Sequence, residues 1–160
     1  MTEDEALAAL LAGNDPGLVA QAEATLWRIW CAAGDPALDA LMTEGTRALE
    51  GNQLAEAETI FTRLIERAPS FAEGWNKRAT TRYLAQDYAG AIADCVETLA
   101  RNPNHFGALS GQGLCHLARG EHREAAAMFR RALAVHPRLI AARHNLAAAL
   151  SSVVQGNGRP

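Results

Sequence analysis

The sequence predicts an all-α fold built by stacking antiparallel helical hairpins, and three observations predict it. Proline recurs with a period: Pro69, Pro103 and Pro137 lie 34 residues apart each time. Small residues recur at the same step, Gly45, Ala79 and Gly113 at one place and Ala57, Ala91 and Ala125 at another. Alanine is abundant and aromatic residues make up only 6% of the chain, which favours helix because Ala loses no side-chain entropy on entering one.

Each proline follows an amphipathic run: IFTRLIERAP, CVETLARNP and FRRALAVHP. Proline lacks an amide hydrogen and disfavours helix in the residue before it, so it stops a helix cleanly. Counting units from Leu38, Ala72 and Phe106, the eighth and twentieth residues are the small ones. Two antiparallel helices approach closely only where neither carries a bulky side chain at the crossing. Between these places lie Gly51-Asn52, Gln86-Asp87 and Arg119-Gly120-Glu121, all suited to a tight turn. Large apolar residues flank the small ones, Leu41, Trp75 and Leu109 at the fourth place and Phe61, Cys95 and Phe129 at the twenty-fourth.

The 34-residue step with large, small, small, aromatic and proline at these positions resembles the tetratricopeptide repeat (TPR). The match covers 38–71, 72–105 and 106–139 as three units. The resemblance implies a right-handed superhelical stack, a TPR α-solenoid. The chain departs from the pattern in places. Ala48, Arg82 and His116 stand where an aromatic is usual, and the middle unit carries Cys95 and Thr98. Residues 140–154 continue the register with Leu146 and Ala147, then GNGRP ends the run, so a lone capping helix and a flexible tail over 155–160 are expected.

Residues 1–37 read as a degenerate N-terminal hairpin. A short helix is expected over 3–12, a start at Asn14-Asp15-Pro16, a longer helix over 17–33, and a close at Asp35-Pro36. Trp27 and Trp30 fall where Phe61 and Leu64 lie in the next unit. The whole, 1–160, is then a single domain of nine helices.

Composition narrows the function. Fifteen basic against eighteen acidic residues leave a net charge of −3, and the basic residues are scattered, which argues against a nucleic-acid partner. No run approaches the roughly 20 apolar residues of a membrane span, and the start MTEDEALAALLAGND is acidic where a signal peptide is positive. A cytoplasmic protein is expected. Cys31, Cys95 and Cys115, odd in number and far apart, read as reduced thiols. His105, His116, His122, His136 and His144 include no pair at the i, i+4 spacing of a helical zinc site, so no metal and no other cofactor is expected. Ser70, Ser110, Ser151 and Ser152 lie in no nucleophile motif, and the glycine-rich stretch from Phe106 lacks a following Gly-Lys-Ser/Thr. Gly113 has a packing reason there; Gly107 and Gly111 have none. Nearly all of Glu44, Glu50, Glu56, Glu58, Glu66, Asp94 and Glu97 are expected on exposed faces or in first turns. The reading is not an enzyme.

In families of this kind the first helix of each unit lines an inner face that receives a peptide or helix. The outward places on that face give candidate groove residues Met42, Thr46 and Leu49 in the first unit, Asn76, Lys77, Thr80 and Tyr83 in the second, Ser110 and Leu114 in the third, and His144 and Asn145 in the cap. An apolar strip with amide and hydroxyl rims suits a partner's side chains and backbone. Chaperone-binding relatives grip a C-terminal carboxylate with Lys, Asn and Arg. The matching positions here are Met42, Thr46, Lys77, Gly107 and Gly111, so that clamp is expected to be missing. The sequence therefore predicts a bacterial protein- or peptide-binding scaffold of unnamed partner. The alternative is a self-association module, a homodimer joined through the apolar end faces of the stack.

Overall fold

The computed structural model describes residues 1–157, and among these it contains nine helices and no strand. They are α1 (Glu3–Ala12), α2 (Pro16–Trp30), α3 (Pro36–Glu50), α4 (Leu54–Arg67), α5 (Ala72–Leu84), α6 (Tyr88–Arg101), α7 (Phe106–Ala118), α8 (His122–Val135) and α9 (Ile140–Asn157). The cap helix thus runs past residue 154 and takes up 155–157 of the expected tail; 158–160 lie outside the described residues.

Local chemistry explains the boundaries. Thr2 and Glu5 form a reciprocal capping box at α1, and Asp35 accepts the amides of Ala37 and Leu38 at α3 with Pro36 in the first turn. Asp87 accepts from Gly90 at α6. The hairpin turns keep the 34-residue step in their backbone: Asn52, Gln86 and Gly120 adopt φ of 57°, 63° and 75°. This left-handed conformation is costly for residues with a Cβ, least so for Asn, and the third turn meets it with glycine.

The helices group into two compact units. In the unit of 28–103, α3 packs on α4, α4 on α5, and α5 on α6, with α3 beside α5. Its first hairpin closes over Leu41, Met42, Ala48, Ala57, Ile60, Phe61 and Leu64. A Cβ added at Gly45 would lie 2.6 Å from Cε1 of Phe61, closer than real atoms come, so the small eighth residue is what lets this ring stand in the crossing.

Between the hairpins of the same unit sits a polar cluster. Arg78 on α5 donates from Nε and Nη2 to the two carboxylate oxygens of Asp94 on α6, at 2.9 and 2.8 Å, and from Nη1 to Thr62 Oγ1 on α4 at 3.1 Å. Arg82 donates to Asp94 Oδ2 at 3.0 Å and to Glu58 Oε1 at 2.9 Å. The hydrogen bond to Asp94 holds the Arg78 pKa above its ordinary value. Asp94 is buried, which corrects the expectation of an exposed carboxylate: two guanidinium groups supply the partners a buried charge requires. Trp75 lies under both Arg101 and Arg78, whose guanidinium carbons sit 4.7 and 5.3 Å from its ring. Its indole N–H donates to the carbonyl of Pro69 at 2.9 Å.

The other unit joins residues 1–27 to the chain from Asn104 onward. Here α7 packs on α8, α8 on α9, α9 lies beside α7, and α1 touches α8. Gly113 repeats the role of Gly45, with a would-be Cβ 2.7 Å from Phe129 Cε1. Ala147, at the equivalent place in α9, is exposed; no further helix follows among the described residues to close over it.

Candidate peptide-binding faces

In the unit of 28–103, the first helices of its two hairpins, α3 and α5, present the candidate face. It carries a cavity of about 700 Å³ whose lining includes Arg28, Cys31, Asp39, Met42, Thr46 and Lys77, within the range of sites that bury a ligand side chain or small molecule. Three of the eleven candidate residues, Met42, Thr46 and Lys77, therefore meet at one concavity. Leu49, Asn76, Thr80 and Tyr83 do not line it.

The reasons are local. Glu73 is fully buried and accepts from Asn76 Nδ2 at 3.1 Å, while Lys77 Nζ stands 3.9 Å from the same oxygen. Asn76 is turned inward and buried, so its amide serves Glu73 in place of a ligand backbone. Thr80 donates to the carbonyl of Asn76 at 3.1 Å. Tyr83 packs against Tyr88 with ring centroids 5.8 Å apart. Met42 belongs to the hairpin core and is 7% exposed, its thioether 3.9 Å from Thr46 Oγ1. Asp39 at the rim accepts the amide of Ala33 at 2.8 Å. The cavity thus has a soft apolar floor with Arg28, Arg47 and Lys77 set against Asp39 and Glu50 around it. Burial, and next the charge of Glu73, push the Cys31 thiol above its ordinary pKa.

In the other unit, Ser110 and Leu114 lie on α7 and His144 and Asn145 on α9. All four are at least partly exposed. The Ser110 hydroxyl oxygen is itself buried and has no hydrogen-bond partner among the described residues.

Gly107, which sequence left without a packing reason, gains one here. A Cβ at Gly107 would stand 2.7 Å from Cη2 of Trp27. Trp27 meets His105 and Phe106 edge-to-face, each with centroids 5.5 Å apart. Trp27, which stands at the place equivalent to Phe61, packs on the start of α7. Two histidines likewise have structural posts. His105 caps α7 by accepting the Ala108 amide at 3.1 Å, and His136 lies 3.4 Å from Glu23. Among the described residues no group of three or more His, Cys, Asp or Glu is placed to hold a metal ion, and no helix is long and apolar enough to cross a membrane.

Three helical hairpins at a 34-residue step define a helical-repeat protein. The tetratricopeptide repeat family model matches residues 42–98 and 85–139, more than half of the chain, and the chain belongs to that family. A TPR repeat-containing protein of Rhizobium etli is 33% identical over 82 residues, which is 51% of this chain and 40% of the relative. The match thus spans well under half of that relative. Among solved structures, the first TPR domain of Spaghetti (RPAP3) bound to an HSP90 peptide aligns with a TM-score of 0.72 at 21% identity, covering 73% of this chain and 93% of that one. The Sgt2 TPR domain of Aspergillus fumigatus aligns with a TM-score of 0.74 at 18% identity, covering 79% and 86%. At such identities these likenesses establish the fold, the tetratricopeptide α-solenoid.

Proposed function

We propose that this chain is a non-catalytic adaptor that binds a protein or peptide on the α3–α5 face. The observation that supports this most is the cavity where Met42, Thr46 and Lys77 converge with Arg28 and Cys31. A thioether floor adapts to varied apolar side chains, and the mixed charges at the rim offer contacts to a polypeptide backbone and to side chains of either sign. The solved relative bound to an HSP90 peptide lends the fold a precedent. Its chemistry does not carry over, because Lys77 is the one cation among the five clamp positions and it faces Glu73. The partner we propose is therefore not an acidic C-terminal tail held by its carboxylate. A bacterial source fits the Rhizobium relative.

The test is capture of partners from a bacterial extract with the full chain and with two variants. Thr46→Lys places a long charged side chain in the cavity, and Val96→Lys alters the exposed surface of α6. Partners lost with the first and kept with the second support the face. Equal recovery with both moves binding elsewhere.

Self-association is the second reading, favoured by Ile140 and Val154 on α9, 68% and 72% exposed. Light scattering over a concentration series separates it: mass that grows with concentration and reverts with Ile140→Glu assigns α9 to a second copy.

A further inference from the structure

One end of the unit that joins 1–27 to the chain from Asn104 onward carries positive charge and bare apolar surface together. From Ala125 to Asn157 the chain holds Arg130, Arg131, Arg138 and Arg143 and no acidic residue. All four arginines are exposed, and none forms an ion pair among the described residues. Two of them are fixed at the α8–α9 turn. Arg143 donates from Nε to the carbonyl of Pro137 at 2.9 Å. Arg138 reaches the α1–α2 turn, where a Cβ at Gly13 would stand 3.5 Å from its Nε. Arg130 and Arg131 lie in the last two turns of α8, the latter with Nη1 3.8 Å from Met128 Sδ. Ile140, two residues after Arg138 and three before Arg143, is 68% exposed, and Leu11, two residues before Gly13, is 56% exposed.

Two carboxylates belong to this end, and both are engaged. Asp15 accepts the amides of Gly17 and Leu18 at 2.8 and 3.3 Å, and Glu23 faces His136 at 3.4 Å. Glu3, Asp4 and Glu5 stand in the first turn of α1, about 12 Å or more along the helix from Gly13. Four guanidinium groups against two carboxylates leave a positive surplus. An apolar side chain ringed by cations suits the boundary of a bilayer, where the apolar group enters the acyl layer and the cations meet lipid phosphates. Arginine serves well there, because its aliphatic stem lies on apolar surface while its planar head pairs with phosphate oxygens. A peptide, by contrast, anchors through side chains buried in pockets, and a protruding Ile140 supplies none.

We propose that the α8–α9 turn, with the α1–α2 turn beside it, docks on an anionic phospholipid surface, Ile140 entering the headgroup layer and Arg131, Arg138 and Arg143 pairing with lipid phosphates. The residues belong to one unit only, and the inference does not rest on the α3–α5 reading. The chain as a whole carries a net charge of −3, so its overall charge is repelled by such a surface. Attraction is therefore the signature of this end alone, and it falls with salt because exposed charges act over about a Debye length.

The test is flotation of the full chain with vesicles of phosphatidylcholine alone or containing about one third phosphatidylglycerol. The expected result is binding to the anionic vesicles only, weakening severalfold between about 0.05 and about 0.3 M salt. Arg131→Gln and Arg138→Gln should each lower the affinity about fivefold, and Ile140→Ser about tenfold. Arg63→Gln, at an exposed arginine of α4 in the other unit, removes the same charge and should leave binding unchanged. Absence of binding to the anionic vesicles at low salt overturns the proposal, as do equal binding to both vesicles and a loss with Arg63→Gln equal to that with Arg138→Gln. Loss with Ile140→Ser but with neither arginine variant assigns this end to a second copy of the chain and overturns it too. Poly-glutamate that binds the chain more tightly than the anionic vesicles, and releases it with Arg138→Gln, assigns an acidic polypeptide and overturns the lipid. Should circular dichroism show that a variant unfolds, the lipid and salt dependence of the wild type decides. Vesicle flotation and the extract capture read different surfaces, so the failure of either leaves the other reading standing.

Discussion

Gly45→Ala offers a sharp probe of the hairpin crossing because two opposed effects meet there. Alanine in the interior of α3 gains about 1 kcal/mol of helix propensity over glycine. Against this, the new methyl stands 2.6 to 3.0 Å from three ring atoms of Phe61, a residue with no exposed surface. The ring is stiff and enclosed, so relief requires the helices to part, and overpacking of this kind costs about 1–3 kcal/mol. The expected result is a net loss of up to about 2 kcal/mol. The middle repeat shows another solution, with Ala79 and Cys95 at the same two places, both buried. In a Phe61→Cys background, itself destabilised by about 3 kcal/mol through the lost ring, the clash is absent and Gly45→Ala should stabilise by about 1 kcal/mol. The sign of one substitution thus reverses with its neighbour. Urea unfolding followed by circular dichroism at constant m measures all four members of the cycle. Additive effects, or a stabilising Gly45→Ala in the wild type, would refute the argument that ring contact selects glycine.

Three further outcomes follow from the same coordinates. Asp94→Ala leaves two guanidinium groups without their shared carboxylate and should cost about 3–5 kcal/mol, whereas Thr62→Val, losing one neutral acceptor of Arg78, should cost about 1 kcal/mol; chemical denaturation ranks them, and equal losses contradict the assignment of Asp94 as the hub. Gln86→Gly, at φ 63° in the α5–α6 turn, should raise stability by about 0.5–1 kcal/mol, since glycine meets no Cβ penalty there, and a lowered melting temperature would count against the turn geometry. Cys31 is the one partly exposed thiol among three, and its raised pKa leaves less thiolate at neutral pH. Alkylation should reach Cys31 first yet more slowly than a free thiol, speed up as pH rises, and be blocked by a partner seated on the α3–α5 face. Mass spectrometry of the digested, labelled protein reads all three.

The period made most of the architecture legible before any coordinates. Recurrent prolines, small residues and turn dipeptides mark α3 to α8 within a few residues, because each is a backbone constraint that acts locally. The candidate face was legible only in part. Counting outward places named Met42, Thr46 and Lys77, which share one concavity, but it placed Asn76 toward a ligand and Asp94 toward solvent. Both errors have one cause: helical periodicity gives a direction, while the partner met in that direction, Glu73 for Asn76 and Arg78 for Asp94, comes from another turn or another helix. The place of the Trp27 ring was least legible. Trp27 reads as hairpin core by register, and nothing in register reveals that it lies on Gly107. The one hint was the glycine itself, a small residue at a place where the repeat gave it no duty.

The arginine–carboxylate cluster between α4, α5 and α6 bears on how this pair of repeats fits together. In a repeat array the strength of each junction relative to each module decides whether modules melt singly or together. Here Thr62 and Glu58 belong to one module and Arg78, Arg82 and Asp94 to the next. Within this cluster only the Arg78–Thr62 and Arg82–Glu58 bonds cross the seam, while both arginine pairs with Asp94 lie within the second module and stay intact when it opens. Opening returns the crossing groups to water, so each bond adds at most about 1 kcal/mol to the apolar burial of the seam. What these bonds supply is register: a spare repeat inserted here must present a hydroxyl and a carboxylate on one side and two guanidinium groups on the other.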